Sequence, residues 1–271
     1  MLTRTKSIIK KGAKFPPLSY IYKSFQIIRG CRRSSYDAAF EPYVKKLDID
    51  GIEARFLFAT AQARDWYDPI KPYAKLEYEW VIRNVTLNGQ NVLDGGAHHG
   101  QYSVVLALGA TQGCYLISVD PFPMNCSLTE VNLCLNGKKP RIEKCALSDK
   151  NGDVHFERKS NGKIITDGGG MLVASRTIQS LLPNANVVKL DVEGAEYSIL
   201  PSAIDELDNV HTYILEIHPH GNPHPDTLIE PLIARDYEIY YVNREKNIVE
   251  PYKLGTYWNI HSTIFARRQK T

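Results

Sequence analysis

The chain has 271 residues, of which 43% are hydrophobic and 23% are charged, a composition typical of a globular protein. This length fits one large domain, or one domain with an appendage. No uncharged run reaches the roughly 18 residues of a membrane-spanning helix. The net charge of +3 is unevenly distributed along the chain.

Residues 1–46 form a basic N-terminal arm, with eleven Lys and Arg against two acids. The remainder carries 22 basic and 28 acidic residues, so nucleic-acid binding through this body is not favoured. A short basic amphipathic helix is predicted in the arm, because its apolar residues fall at helical spacing: Leu18, Ile21, Tyr22, Phe25 and Ile28. Either this helix packs on the body as a lid or interface element, or it attaches to an anionic membrane surface.

Cysteine usage and the N-terminus bear on localisation. The five cysteines are odd in number and form no Cys-x-x-Cys pair, which indicates reduced thiols in a reducing compartment. The basic N-terminus lacks the continuous apolar segment of a secretory signal. We therefore expect a cytoplasmic protein, either free or attached to a membrane surface through the arm.

The body, residues 47–271, alternates apolar runs with helical stretches. A strand at Ile52–Phe58 and a helix at Leu76–Val85 come first. Five strands are predicted next, at Asn91–Asp94, Tyr115–Asp120, Arg141–Ala146, Val187–Asp191 and Thr212–Ile217. All but the third are Val/Ile/Leu-rich runs that end in a polar residue, as expected of buried parallel strands.

Two features complete this outline. The β-rich runs Tyr237–Val242 and Tyr257–Ala266 predict a terminal antiparallel hairpin. Asn161-Gly162 and the glycines at 168–170 predict an exposed loop inserted before the fourth of the five strands.

A strand–turn–helix segment is the first candidate ligand site. Residues 92–100 read Val-Leu-Asp-Gly-Gly-Ala-His-His-Gly, which places free backbone N–H groups at the carboxyl end of a strand. The glycine spacing does not satisfy the Gly-x-Gly-x-x-Gly dinucleotide fingerprint, which argues against NAD and FAD. Asp120 ends the next strand, 26 positions after Asp94. That distance is close to the roughly 20 residues at which an acid binds ribose hydroxyls, so a nucleoside with a small zwitterionic tail is favoured.

A second segment carries charges at strand ends. Residues 187–196 read Val-Val-Lys-Leu-Asp-Val-Glu-Gly-Ala-Glu, and residues 213–220 read Tyr-Ile-Leu-Glu-Ile-His-Pro-His. Glu193 and Glu196 fall where a helix would begin, and acids there suit the helix dipole. Asp191 is a candidate base or metal ligand, because an acid at the end of a buried strand lies beside the ligand crevice.

Together these motifs resemble the FkbM family of S-adenosylmethionine-dependent methyltransferases. The matching segments occur in the family's order and span roughly residues 76–266, with Lys-x-Asp-x-Glu-Gly-x-Glu as the most specific. They are residues 92–103, Val119-Asp-Pro121, Cys145-Ala-Leu-Ser-Asp149, residues 189–196 and Glu216-Ile-His218. The basic arm lies outside the resemblance.

The resemblance implies an α/β class I methyltransferase (Rossmann-like) fold. Its sheet would have seven mostly parallel strands flanked by helices, with an antiparallel strand near one edge. The implied reaction is methyl transfer to a hydroxyl of a sugar, glycan or secondary metabolite. This chain departs from the family in having His98 where Asn is common, and Ile178-Gln179 where Leu-Asp is usual.

The resemblance also assigns residues to parts of the cofactor. Asp94, Gly96, Ala97 and Gly100 would surround its methionine part. Asp120 would bind the ribose hydroxyls, and Ser148 and Asp149 would lie near the adenine.

Catalysis requires removal of a hydroxyl proton, for which Asp191, Glu216 and His218 are the candidates at adjacent strand ends. His218 is favoured as the base, because an unperturbed imidazole titrates near neutral pH. Alternatively, Asp191 and Glu216 hold a divalent cation that acidifies the hydroxyl. The histidine-rich segment 218–226 is interpreted as a substrate-facing loop, and no metal ligands are assigned.

Two other functions stay open. A nucleic-acid methyltransferase is disfavoured by the acidic body and by the lack of an Asn/Asp-Pro-Pro-Tyr tetrapeptide. A catalytically inactive cofactor-binding scaffold is disfavoured because Asp191, Glu193, Glu196, Glu216 and His218 occur together.

Overall fold

The computed structural model describes residues 40–166, 168–219, 221–256 and 261–268. Its strands are β1 (Tyr43–Ile49), β2 (Ile52–Phe58), β3 (Asn91–Gly95), β4 (Tyr115–Val119), β5 (Ile142–Glu143), β6 (Ala146–Leu147), β7 (Gly152–Phe156), β8 (Ile164–Ile165), β9 (Met171–Arg176), β10 (Val187–Leu190), β11 (Thr212–Ile217), β12 (Glu238–Asn243), β13 (Ile248–Pro251) and β14 (Ser262–Arg267). Its helices are α1 (Ala61–Tyr67), α2 (Pro72–Asn84), α3 (Gln101–Gly109), α4 (Pro123–Leu135), α5 (Ile178–Leu181), α6 (Glu196–Glu206) and α7 (Asp226–Ile233).

The main sheet has eight strands in the order β13-β12-β14-β11-β10-β3-β4-β5. The strands from β11 to β5 are parallel neighbours, whereas β14 runs antiparallel between β11 and β12. Without β13, this is the predicted seven-stranded, mostly parallel sheet of the class I methyltransferase fold, and the α/β fold class is confirmed. The expected count of seven is too low, because β13 pairs with β12 and extends one edge.

The central strands are apolar because both faces of the sheet are covered. All four residues of β10 are buried. Leu93 and Val188 pack with Leu200 of α6 on one face. Val92 and Val187 pack with residues of α2 and α3 on the other. This sandwich leaves the carboxyl ends of the strands as the open edge of the sheet.

Local signals begin the two helices that reach this edge. Thr60 caps α1, its side-chain oxygen accepting a hydrogen bond from the Ala63 N–H at 3.1 Å. Pro72 is the first residue of α2, where its missing N–H has no helical partner to lose. The structure extends α2 four residues ahead of the predicted start at Leu76, and α1 was not predicted.

Two asparagine side chains attach the β1–β2 hairpin to the body, one within α4 and one directly after it. Asn132 is fully buried. Its Oδ1 accepts the Leu57 N–H at 2.7 Å, and its Nδ2 donates to the His99 carbonyl at 2.7 Å. One amide therefore joins the hairpin to the turn after β3. Asn136 repeats the arrangement, with its Oδ1 accepting from Arg55 N–H.

The predicted exposed loop around residues 161–170 is interrupted by one short strand. β8 (Ile164–Ile165) joins a second, four-stranded sheet in the order β6-β9-β7-β8, whereas Asn161, Gly162 and the glycines at 168–170 lie outside its strands. The glycines permit close approach to this sheet: a Cβ on Gly170, which has φ +74°, would lie 2.1 Å from the Phe156 carbonyl oxygen. The predicted strand Arg141–Ala146 is likewise split, because β5 pairs with β4 while β6 pairs with β9.

The terminal and N-terminal expectations have mixed outcomes. β12 and β14 pair antiparallel, as predicted. The predicted amphipathic helix of the arm lies outside the described residues. The boundary placed after residue 46 falls inside β1, which pairs along its whole length with β2. Within the described ranges, none of the helices combines the length and apolar character needed to cross a bilayer.

We expect Asn132→Ala to destabilise the protein. The substitution leaves the Leu57 N–H and the His99 carbonyl without their partner in a buried site, at roughly 1–3 kcal/mol for each orphaned group. Urea unfolding measures the loss. Ser127→Ala on the same helix is the control and should stay within about 0.5 kcal/mol of wild type. An Asn132→Ala protein as stable as this control would contradict the bridging role.

Candidate active site

The turn after β3 depends on glycine at position 96. Gly96 has φ +72°, and a Cβ there would lie 1.7 Å from the Asp191 carbonyl oxygen. The turn therefore presses directly against the carboxyl end of β10. Gly100, the N-cap of α3, has φ +81° and lies against the backbone of Thr129 in α4. Gly96 borders the open edge, whereas Gly100 serves helix packing.

The side chain of Lys189 in β10 stabilises this turn. Its Nζ lies 3.3 Å from Asp94 Oδ1 and 3.5 Å from Asp191 Oδ2, and it donates to the carbonyls of Gly95 and Gly96. Burial alone would lower the pKa of Lys189, but the charges of Asp94, Asp191 and Glu216 raise it above its ordinary value. The lysine of the Lys-x-Asp motif is thus a permanent cation that joins β3 to β10.

Asp94 is completely buried and borders neither of the two cavities at this edge. It receives a hydrogen bond from the Ser103 hydroxyl in addition to its ion pair with Lys189. The structure therefore places Asp94 behind the turn, as its anchor, while Gly96 and Ala97 form the surface that a ligand would meet.

Asp120 follows β4 and borders a narrow cavity of about 90 Å³. Its carboxylate accepts the N–H groups of His98 and Phe122, each at 2.8 Å, and one amide hydrogen of Asn125 is shared between both oxygens. Each oxygen therefore already has two contacts, and a ligand hydroxyl that binds here would replace the shared contact with Asn125. Burial raises the pKa of Asp120 to about 7.

Apolar residues form the far wall of the narrow cavity. Leu147 of β6 and Phe156 of β7 belong to this wall. Ser148 and Asp149, which were predicted near the adenine, come directly after Leu147 but do not border the cavity. The Ser148 hydroxyl instead donates to Asp149 Oδ1 at 3.0 Å.

A wider cavity of about 510 Å³ adjoins the narrow one. Both cavities are bordered by the same seven residues: Trp66, Tyr67, Gly96, His98, Asn161, Asp191 and Glu193. The wide cavity adds buried acids and aromatic rings from α2, α3, β11 and the segment before β14. Asp191 is therefore at the boundary between two connected spaces.

His98 is enclosed at this boundary. Its Nδ1 is 2.6 Å from the Tyr67 hydroxyl, its Nε2 is 2.7 Å from the Ser160 hydroxyl, and its ring stacks on Trp66 at 5.3 Å. Burial and the neighbouring His99 hold the pKa of His98 well below its usual value. The ring is therefore neutral, with both nitrogens used by the protein.

His218 is joined to Glu196 rather than left free. Its Nδ1 lies 2.9 Å from Oε1 of Glu196, a fully buried residue whose carboxylate also accepts the Val192 N–H. Burial would lower the pKa of His218, but the hydrogen bond and charge of Glu196, with Asp191 and Glu216, raise it to about 9. The raised pKa favours the protonated imidazole at neutral pH, which argues for a hydrogen-bond donor at this position; the role of His218 as the base stays a prediction.

Glu216, the penultimate residue of β11, borders the wide cavity, and its Oε1 lies 3.5 Å from Arg244 Nη2 and 3.2 Å from His261 Nε2. Burial raises its pKa well above the usual range, and the charges of Asp191 and Glu77 add to the effect. The structure thus brings together all three predicted catalytic residues around the wide cavity. Among the described residues, no group of three or more His, Cys, Asp or Glu side chains is arranged to hold a metal ion.

Sequence reasoning missed Glu77 of α2 and Arg244. Glu77 is 6% exposed, borders the wide cavity, and has its pKa raised to about 7 by burial. It lies on the buried side of the helix with Tyr78 and Val81. The available signal was the spacing of Glu77 from the apolar Val81, because residues four apart lie on the same face of a helix.

Comparison with known proteins agrees with this geometry. A family model described as "Methyltransferase FkbM domain" matches residues 94–239, more than half of the chain. The hexuronic acid methyltransferase AglP of Haloferax volcanii is 34% identical over 116 residues, which are 38% of this chain and 47% of that enzyme.

A solved structure shares the fold. The 16S rRNA N2 G1207 methyltransferase RsmC of T. thermophilus, in complex with AdoMet and guanosine, superposes with a TM-score of 0.50 at 14% identity. The superposition covers 88% of this chain and 53% of that one. Methyltransferase FkbM from Methylobacillus flagellatus KT gives a TM-score of 0.47 at 14% identity, covering 72% and 48%. The chain thus spans about half the length of each of these three relatives.

The sheet has the strand order of the class I fold, with a glycine turn and an acid at its open edge. The chain belongs to the FkbM methyltransferase family, as the motifs predicted. The residues present fit S-adenosylmethionine: Asp120 borders the narrow cavity, Gly96 and Ala97 offer bare backbone, and Leu147 and Phe156 supply an apolar wall.

Asp120→Ala should weaken binding of S-adenosylhomocysteine, the demethylated product. Loss of a charge-assisted hydrogen bond costs roughly 1.5–3 kcal/mol, which is at least about tenfold in Kd. Titration calorimetry measures the change. Asp153→Ala, on exposed β7, is the control and should bind like wild type. Unchanged affinity in Asp120→Ala would overturn the assignment to the ribose.

Proposed function

We propose that the protein transfers a methyl group from S-adenosylmethionine to a hydroxyl of a sugar, glycan or secondary metabolite. The observation that supports this most directly is the position of Asp191, which borders both the narrow cavity suited to the cofactor and the wide cavity beyond it. A carboxylate at that boundary is suited to receive a proton from an acceptor hydroxyl. The sugar substrate named for the Haloferax relative supports a carbohydrate acceptor.

The bound cofactor supplies an activated methyl group on a sulfonium, so the protein has to position the acceptor and remove its proton. In our proposal Asp191 accepts that proton. Its carboxylate is held between Lys189 and His218, whose Nε2 lies 4.0 Å from Asp191 Oδ1. Aromatic rings of Trp66 and Tyr67 border the same space and limit the access of water.

His218 acts in this scheme as a donor. With Nδ1 on Glu196, its Nε2–H is directed toward the acidic boundary, 3.8 Å from Glu193 Oε2 and close to Asp191. A protonated imidazole there can hydrogen-bond to the acceptor oxygen and orient its proton toward Asp191. Glu196 is then a positioning residue that acts through His218.

Methyl transfer from labelled S-adenosylmethionine, with the product's methyl group located by NMR, tests the function. An O-methyl resonance on a carbohydrate or hydroxylated metabolite is expected. Methyl transfer to RNA or DNA would instead indicate the nucleic-acid alternative. Cofactor binding without transfer to any acceptor would indicate an inactive scaffold.

Asp191→Asn should lower kcat by about 10²–10⁴-fold, the usual contribution of a general base, and leave cofactor affinity near wild type. Stopped assays at saturating cofactor, with calorimetry for affinity, separate the two effects. Asp205→Asn, whose side chain is 68% exposed on α6, is the matched control. The proposal fails if cofactor affinity collapses while turnover at saturation survives.

The pH dependence distinguishes a donor from a base at position 218. If imidazolium donates, kcat should be maintained at neutral pH and fall as pH rises through about 9, the raised pKa of His218. Glu196→Gln removes the charge that raises this pKa, so the fall should move to lower pH. The asparagine of His218→Asn donates hydrogen bonds without titrating, so the fall of kcat near pH 9 should disappear in this variant. A rate that rises through pH 9 would show that the imidazole is the base.

A further inference from the structure

The wide cavity contains more polar groups than the proposed chemistry uses. Besides Asp191 and His218, it is bordered by buried Glu77, by half-buried Glu216, and by Gln101 and Tyr102 at the start of α3. Gln101 is 4% exposed. Its Oε1 accepts the Tyr78 hydroxyl at 2.7 Å, whereas its Nε2 has no hydrogen-bond partner among the described residues.

The Tyr102 hydroxyl is also buried without a partner in the part of the chain that the structure describes. Buried polar groups without partners cost free energy, so one end of the cavity has donors and acidic acceptors awaiting a ligand. A molecule with several hydroxyl groups, each both donor and acceptor, would satisfy the two kinds of group together.

Three cations near this cavity are already paired with the protein's own acids. Lys189 is paired with Asp94 and Asp191, and its side chain is 5% exposed. Arg244 is paired with Glu216 and lies over the Tyr73 ring at 4.0 Å. None of these pairs leaves a cation free to receive a carboxylate from a ligand.

The third cation, His218, is likewise committed to buried Glu196. Lys71, just before α2, is the other lysine that borders the cavity, and it makes no ion pair with a described residue. Opposite these few positive charges stand Glu77, Asp191, Glu193 and Glu216. Asp191 and Glu216 are paired with Lys189 and Arg244, and Glu193 lies near His218, but Glu77 makes no ion pair with a described residue. A carboxylate on the ligand would bring a further negative charge beside these acids, which disfavours its binding.

We propose that the acceptor is a sugar ring that carries no carboxylate, bound through its hydroxyls by Glu77 and Glu216, and that Glu77 excludes uronic acids. This inference rests on the proposed function. Glu77 and Arg244 lie outside residues 94–239, the part that matches the family model. Gln101, Tyr102 and Glu216 lie inside that part, so this end of the cavity combines matched and unmatched residues. The neutral acceptor proposed here differs from the hexuronic acid named for the Haloferax relative.

The test compares matched pairs of rings. Methyl glycosides of gluco, galacto and manno configuration, each as the neutral sugar and as its 6-uronate, are assayed for methyl transfer and for binding to the protein loaded with S-adenosylhomocysteine. For an accepted configuration, kcat/KM of the neutral ring should exceed that of its uronate by about tenfold or more. The salt concentration is kept constant, because screening changes such ratios.

Glu77→Gln keeps the shape of the side chain and removes its charge. It should lower the ratio of kcat/KM for the neutral ring to kcat/KM for its uronate several-fold, and it should raise KM for the neutral ring. Glu79→Gln on the same helix is the matched control, because its partially exposed side chain pairs only with Lys75 and Arg83 among the described residues; its ratio should be unchanged. Melting temperature and product affinity check that each variant is folded, and Glu216→Gln provides a second test if Glu77→Gln does not fold.

Each outcome has a distinct meaning. If the wild-type protein prefers a uronate, the inference is overturned, and more clearly so if Lys71→Ala abolishes that preference. The proposed sugar O-methylation is not contradicted by this result. An unchanged ratio in both acid variants also overturns the inference. If no ring is methylated or bound, while another hydroxylated compound is, the carbohydrate class and the inference both fall.

Discussion

The buried ion pair between Lys189 and Asp94 is the interaction on which the active site depends. The two side chains are 5% and 0% exposed, so each charge would be costly to bury alone. Through the same ammonium group, Lys189 also reaches the carbonyls of Gly95 and Gly96 and the carboxylate of Asp191. The turn beside the cofactor pocket and the acid proposed as base are thus positioned by a single charge, which explains why lysine and aspartate alternate in the motif.

The charged residues around this ion pair come from two neighbouring strands. β10 contributes the cation and Asp191, β11 contributes Glu216, and the end of β11 leads to His218. Glu196, at the first turn of α6, satisfies the Val192 N–H and holds His218 with the same oxygen. The short segment between β10 and α6 therefore has a structural reason for each acid, beyond a favourable effect on the helix dipole.

The fold could be anticipated further than the site. Runs such as Thr212–Ile217 are apolar on both faces, and this pattern alone placed the strand correctly. The four-stranded sheet was missed because its strands are short and half-exposed, with glycines that mimic loop signals. Asp191, Glu216 and His218 could be grouped because parallel strands end at one edge. The charge state of His218 could not be predicted, because it depends on Glu196, 22 residues away in sequence.

Asn132 gives the N-terminal hairpin a connection to events at the pocket. Its amide joins the Leu57 N–H to the carbonyl of His99, one residue from His98, whose own N–H is bound by Asp120. A ligand that immobilises this turn also immobilises the acceptor of the Leu57 hydrogen bond. Hydrogen exchange at the Leu57 amide is therefore coupled to occupancy of a cavity that β2 does not border, so a strand outside the pocket reports its occupancy.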